Sequence, residues 1–419
     1  MKEKTRAIKF VVIHSEVLTQ RWESYLQLDK LAESFDVEFW DCSKIAVPHY
    51  TSKDIKRPYV KTILQEEQYR AELQKLPQDT LVVLDRAMFN KENVGFLKTL
   101  AKRFPKQLDM DFFASNQLMS SLWSVSVSKV ERTPTEQESS KDITQKPKST
   151  SLFKSIKRWL YKSDVIQMTM KRIRYWNDKN TFRDIEKRFY FLKCEKMFQS
   201  YRISSVEGTD YPINPPDYEQ YLKLGECNEE KGNIVFIDQA FPVHPEFRSS
   251  YSYLDIQELA QEYYQSLRVF FDKVEKETGL KVIIAGHPVA NYKGDEYGNR
   301  EIVYGKTAEL VRDANAILAH TSGAVNFPIF YEKPIVFLTN SAWNKAIRHN
   351  NHLHKVANFF KKPIVDADKV DKITPYLQPV DPAIRREYID AMVDKRTEGK
   401  FNADLLKKYL VQIHDEMYK

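Results

Sequence analysis

Apolar residues in the first hundred positions gather into short runs: IKFVVIH at 8–14, DVEFWDC at 36–42 and TLVVLD at 80–85. Between them the spacing changes to a helical one, through Trp22, Tyr25, Leu26, Leu28 and Leu31 and again near 62–75 and 92–103. Short buried strands alternating with helices predict a parallel, doubly wound sheet. The same alternation resumes near Gly232, with strands predicted at 233–238, 281–286, 316–320 and 333–339. A long helix is predicted over 254–278, where Ile256, Leu259, Tyr263, Leu267, Phe270, Phe271 and Val274 recur at i, i+3/i+4, i+7. Two further helices are predicted at 382–395 and 403–417.

Between the two α/β series the pattern breaks. ERTPTEQESSKDITQKPKST at 131–150 holds one large apolar residue, Ile143, and predicts a flexible insertion. The next forty residues are basic and aromatic. From 151 to 190 eleven Lys and Arg face four acids, an excess as large as the net +7 of all 419 residues. An anionic partner should therefore be met locally. Three readings of this segment stand: a solvated helical face, a helix on an anionic membrane surface, or a nucleic-acid contact that lacks any recognised reading motif.

Composition narrows the class. At 419 residues and 42% hydrophobic content, two domains with sizeable cores are expected. The three cysteines, Cys42, Cys194 and Cys227, form no CxxC pair, which argues against zinc and disulfide scaffolds. No signal-peptide pattern opens the chain and no apolar run is long enough to span a bilayer, so a cytoplasmic protein is expected.

Eight of the eleven glycines lie between 225 and 323, so special backbone geometry concentrates in the second series. Ligands of open α/β sheets bind beyond the carboxyl ends of the strands. Those ends offer Asp238-Gln239, with His244 and Glu246 beyond; Gly286-His287-Pro288; and His320-Thr321-Ser322-Gly323. A helix opening at Ser322 would present unpaired N–H groups and two hydroxyls to a phosphate, or Ser322 would be an ordinary N-cap.

The order FIDQ, IIAGHP and AILAHTSGAVNFPIFYEKPIVFL resembles the C-terminal half of bacterial GT-B glycosyltransferases with cytidine-nucleotide donors. It is most similar to the sialyltransferase, polysialyltransferase and Kdo-transferase-like group, over roughly 233–340. The strand, Ser/Thr pair, helix and KPIVF order is also similar to the CDP-glycerol glycerophosphotransferases. The resemblance implies His287 as the partner of the leaving phosphate, Thr321 and Ser322 as its holders, and Asp238 as general base. Gly286, Pro288, His320 and Gly323 would complete the donor site. The acidic motif departs from the family pattern, reading Asp-Gln-Ala instead of two acids and Gly, and His320 stands where the glycerophosphotransferases often carry Asp. Asp85 and Glu246 are therefore alternative bases.

Two signals are set aside. LDMD at 108–111 and DADK at 366–369 contain Asp-x-Asp, too short a motif to define a metal site. YGKTAEL at 304–310 lacks the first glycine of a P-loop.

The expected architecture is α/β and GT-B-like, with two Rossmann-like domains whose parallel sheets face a central cleft. Residues 1–225 would bind the acceptor, 226–380 would hold the donor, and the helices of 381–419 would pack back on the first domain. The expected activity is an inverting, metal-independent transfer from a CMP-activated acidic sugar, such as sialic acid or Kdo, to a cell-surface polysaccharide or lipopolysaccharide. The donor would be a substrate and no cofactor is expected. Residues 152–190 would touch the inner face of the cell membrane, and no nucleic acid is expected. The alternatives are another nucleotide donor such as CDP-glycerol, or a non-catalytic membrane- or nucleic-acid-binding protein.

Overall fold

The computed structural model describes residues 7–46, 54–84, 94–104, 202–204, 210–226, 231–242, 244, 255–346 and 351–418. The predicted insertion 131–150, the basic segment, Asp85, Asp109, Asp111 and Glu246 lie outside the described residues.

Each predicted alternation closes into a parallel sheet. In the N-terminal unit, β1 (Lys9–His14), β2 (Asp36–Asp41), β3 (Val60–Thr62) and β4 (Leu81–Leu84) lie in the order β3-β2-β1-β4. A short antiparallel pair, β5 (Arg202–Ser204) and β6 (Asp210–Pro212), follows. The C-terminal unit holds β7 (Asn233–Ile237), β8 (Lys281–Gly286), β9 (Ile302–Tyr304), β10 (Ala316–Ala319), β11 (Ile335–Thr339) and β12 (Ile364–Asp366). Their order is β12-β11-β10-β7-β8-β9, parallel throughout. Counted from β7 this is 3-2-1-4-5-6, the dinucleotide-fold order. Two Rossmann-like α/β units are therefore present, as expected.

Central strands are buried on both faces because helices cover both sides. Val235, Ile237, Ile317 and Ile335 face one cluster, with Phe327, Val356 and Phe360. Ile234, Phe236, Ile284 and Leu318 face the other, against Leu267, Phe271 and Val274 of the helix Ile256–Thr278. That helix has clear ends. The Asp255 side chain accepts from the N–H groups of Gln257 and Glu258, and Gly279 closes it at φ 70°.

The chain crosses between units at two places that are clasped together. Buried Asn214 donates from Nδ2 to the carbonyls of Thr397 and Lys400, and its N–H donates to Asn402 Oδ1 at 2.7 Å. Asn402 Nδ2 returns a bond to the Asn214 carbonyl at 2.8 Å. The last helix, Asn402–Tyr418, then buries Leu406, Leu410 and Ile413 with Phe10, Val12 and Leu26 of the N-terminal unit. The helix before it, Pro382–Met392, differs from expectation. Its Ile384, Tyr388, Ile389 and Met392 stripe fits the cluster around Val356 and Phe360, so it stays on the C-terminal unit.

Candidate functional site

Strand order reverses between β7 and β10, and a crevice at such a point is where this topology binds ligands. The three strand ends singled out from sequence do meet there. Gln239, after β7, accepts the Thr321 N–H on Oε1 at 2.9 Å, while its Nε2 points at Thr321 Oγ1 from 3.5 Å. One amide thus ties β7 to β10. On the other side Asp238 Oδ2 accepts the His287 N–H at 3.0 Å and ties β7 to β8.

Asp238 is more heavily committed than a base should be. It is 2% exposed. Oδ1 accepts from the Ala240 N–H at 2.8 Å and from Tyr297 Oη at 2.9 Å. Oδ2 accepts from Tyr292 Oη at 2.7 Å as well as from His287. Burial, reinforced by the Asp238 charge, raises the pKa of Tyr292 and Tyr297, so both remain protonated donors. A carboxylate with four donors has filled its lone-pair sites and offers none to an acceptor hydroxyl. The sequence assignment of Asp238 as base is therefore replaced: it fixes the loop 287–297 and the His287 backbone.

His287 is placed differently. It is partly exposed at the end of β8. Its Nδ1 accepts the Val289 N–H at 3.3 Å, so the N–H donor of the ring is Nε2. The His244 ring lies edge-on, 5.2 Å away between centroids. Pro288 is exposed beside it. Gly286 has a packing reason of its own. A Cβ there would stand 2.8 Å from both Ile302 Cγ2 and Tyr304 Cε1 of the edge strand β9.

His320 is a second correction. It is fully buried, stacked on Trp343 with centroids 4.2 Å apart. Its Nδ1 faces the Leu338 carbonyl at 2.7 Å and so donates; Nε2 then accepts from Tyr263 Oη at 2.9 Å. Burial, the largest cause, lowers its pKa to about 4, and the bond to Leu338 opposes that shift. Both nitrogens of this neutral core histidine are taken within the protein, so its ring has none to offer a donor.

The helix after β10 begins as a single 3₁₀ turn, Gly323–Val325, followed by the short helix Asn326–Phe330. The Ser322 hydroxyl caps that turn by accepting from the Ala324 N–H at 3.2 Å. Ser322 and Gly323 stay partly exposed, while Thr321 is buried under Gln239. The capping role read as the alternative for Ser322 is thus the one its hydroxyl plays.

Among the described residues no group of three His, Cys, Asp or Glu is arranged to hold a metal. The second Asp-x-Asp is occupied locally: Asp366 Oδ2 pairs with Lys369 at 2.8 Å, and Asp368 Oδ2 accepts from the Ser341 N–H at 2.8 Å and its hydroxyl at 2.6 Å.

No family model and no curated protein matches the chain. Solved structures do. It is similar to the wall teichoic acid polymerase TagF (H444N variant) at 12% identity and TM-score 0.43, over 97% of this chain and 90% of that one. It is similar to Phytolacca americana UGT2 complexed with UDP-2fluoro-glucose and pterostilbene at 12% identity and TM-score 0.43, over 98% of this chain and 100% of that one. The glycosyltransferase SnogD from Streptomyces nogalater gives 11% identity and TM-score 0.40, over 98% and 100%. Overlap this loose carries nothing about donor, acceptor or catalytic residues.

Three residues around the strand ends had escaped the sequence reading. Tyr292 and Tyr297 lie in the turn-rich loop before β9, where nothing local marks them as partners of an aspartate 54 and 59 positions away. His14 ends β1, beside the order reversal of the N-terminal sheet. Its Nδ1 accepts the Glu16 N–H at 3.0 Å, and its ring packs edge-on against Trp22. The strand-end rule applied to the first strand would have found it.

Proposed function

We infer that the chain is an inverting, metal-independent glycosyltransferase that takes a CMP-activated acidic sugar and extends a cell-surface polysaccharide or lipopolysaccharide. The observation that carries this reading is His287. Its main chain is locked to Asp238 at 3.0 Å, and its partly exposed ring, just past β8, accepts the Val289 N–H on Nδ1 and keeps Nε2 as its donor. The resemblance of the strand-end motifs to CMP-sugar transferases supports the choice of donor.

The chemistry follows from charge. When the bond from the anomeric carbon to the phosphate oxygen breaks, its electron pair stays on the nucleotide, and the phosphate gains charge. A pre-placed N–H donor stabilises that charge more than the ground state, which is how it lowers the barrier. His287 Nε2 supplies the donor. The acceptor oxygen attacks from the opposite face and inverts the anomeric centre.

The enzyme would work at the inner face of the membrane, held there by the excess positive charge of 151–190. No helix among the described residues is long and apolar enough to cross a bilayer.

A donor panel tests the reading. CMP-sialic acid and CMP-Kdo should support transfer to a glycan acceptor, and UDP- and GDP-sugars should not. EDTA should leave the rate intact. Transfer from CDP-glycerol alone would move the donor class. A strict requirement for added Mg²⁺ or Mn²⁺ would overturn the metal-independent mechanism and bring Asp109 and Asp111 back into consideration.

A further inference from the structure

Transfer to a hydroxyl needs a group to take its proton, and the structure removes Asp238 from that role. The need for another base rests on the proposed glycosyl transfer. A second carboxylate stands where the two units approach each other. Asp217 lies in the first turn of the helix Pro216–Leu224, just after the clasp at Asn214 where the chain passes from one unit to the other.

Its surroundings come from both units. On the C-terminal side Asn326, which begins the helix after Ser322, donates from Nδ2 to Asp217 Oδ2 at 2.6 Å. Asn326 is itself held by the buried Tyr388, whose hydroxyl donates to Asn326 Oδ1 at 2.5 Å. On the N-terminal side the carboxylate feels the charge of Arg21 and acts in turn on Tyr25, both on the helix Gln20–Leu26 that follows β1. Arg21 is stacked over Tyr25, 5.2 Å from its ring centroid. One neighbour therefore leads out of β10 and the other out of β1, the two strands at which the sheet orders reverse.

The bonding contrast with Asp238 is direct. Among the described residues, Asn326 is the one hydrogen-bond donor to the Asp217 side chain, on Oδ2. Oδ1 retains its lone pairs, and the residue stays partly exposed. Protein crowding raises its pKa to about 6, against the smaller lowering effects of Asn326 and Arg21. The facing titratable groups are Tyr25, Tyr388 and the always-charged Arg21. Burial raises both phenols, so neither titrates near that pH.

We propose that Asp217 is the general base, taking the acceptor hydroxyl proton on Oδ1 as the transfer occurs. The acceptor oxygen forms its bond to the anomeric carbon, and the donor's bond to phosphate oxygen breaks with its electron pair. The proton ends on Asp217, and no further reactant is consumed. A base poised near neutrality is where proton transfer and availability are best balanced. Asn326 is the positioning residue, and Tyr388 holds Asn326.

The test compares the full chain with Asp217→Asn, which keeps the size of the side chain. With the donor on which the wild type turns over, kcat should fall about 10²–10⁴-fold, while CMP affinity stays unchanged. The wild-type pH profile should show an acid limb near pH 6 that the variant lacks. A ¹³C-carboxyl titration, wild type minus variant, should place the missing signal in the same range. A variant of near-normal rate overturns the proposal, and so does parallel loss of CMP binding or a carboxyl titrating in the ordinary aspartate range. Failure of the donor reading appears elsewhere, as a wild type that uses UDP- or GDP-sugars; the Asp217 comparison then runs on that donor. A wild type that transfers from no nucleotide sugar overturns both.

Discussion

Asp238 Oδ2 accepts the backbone N–H of His287 at 3.0 Å, so these two residues form one unit in which the carboxylate holds the histidine in place. The same carboxylate gathers Ala240, Tyr292 and Tyr297, and so it also anchors the loop that leads to β9. A substitution at Asp238 should therefore act first on structure.

In Asp238→Asn one oxygen is replaced by an NH₂ group that confronts two of the four donors. Hydrogen bonds to a charged acceptor contribute about 1.5–3 kcal/mol each, so unfolding in urea should show a loss of about 3 kcal/mol. CMP binding and turnover should fall together. A variant of wild-type stability and CMP affinity with no turnover would restore the catalytic assignment.

His320 predicts an acid limb in stability. Its folded pKa, about 4, lies below the ordinary 6.5, so the folded state binds fewer protons than the unfolded one over that interval. Its contribution is complete above pH 6.5 and is lost as pH falls toward 4. By linkage the loss between pH 7 and pH 5 is about 2 kcal/mol. Urea midpoints at the two pH values measure it. His320→Asn should be less stable overall and should flatten the difference; an unchanged slope would contradict the buried neutral imidazole.

How far the sequence reached depended on length and direction. The helix Ile256–Thr278 was legible because its seven buried positions, from Leu259 to Val274, repeat over about four turns between an Asp cap and a Gly stop. The strands β3, β9 and β12 were not. Each has three residues and lies at a sheet edge, too short to show a period. The strand ends were correctly gathered on one rim, yet two of their side chains were misread. Position past a strand does not say which way a side chain turns. His320 turns into the helix layer against Trp343, and Asp238 meets phenols whose sequence distance hides them.

Gly286 gives a packing test independent of any ligand. In Gly286→Ala the new methyl would sit 2.8 Å from side-chain atoms of Ile302 and Tyr304, and these side chains of β9 must give way. Overpacking of this kind costs about 1–3 kcal/mol, read as a lower urea midpoint. An unaltered midpoint would show that β9 yields freely.

The basic segment can be tested by charge alone. Replacing Lys154, Lys157, Arg158 and Lys162 with Gln should weaken flotation with anionic liposomes in a salt-dependent way, at about 1 kcal/mol for each charge removed. Turnover of a short soluble acceptor should persist. Unchanged flotation would rule out the membrane-surface reading.

The most direct test of the account is a calorimetric titration of CMP into the wild type and into His287→Ala. CMP should bind the wild type in preference to UDP and GDP, and His287→Ala should lose affinity. The same variant should lose about 10²–10⁴-fold in turnover. Equal binding of all three nucleotides, or a His287→Ala protein that binds CMP normally and keeps its rate, would contradict the placement of the donor phosphate at this crevice.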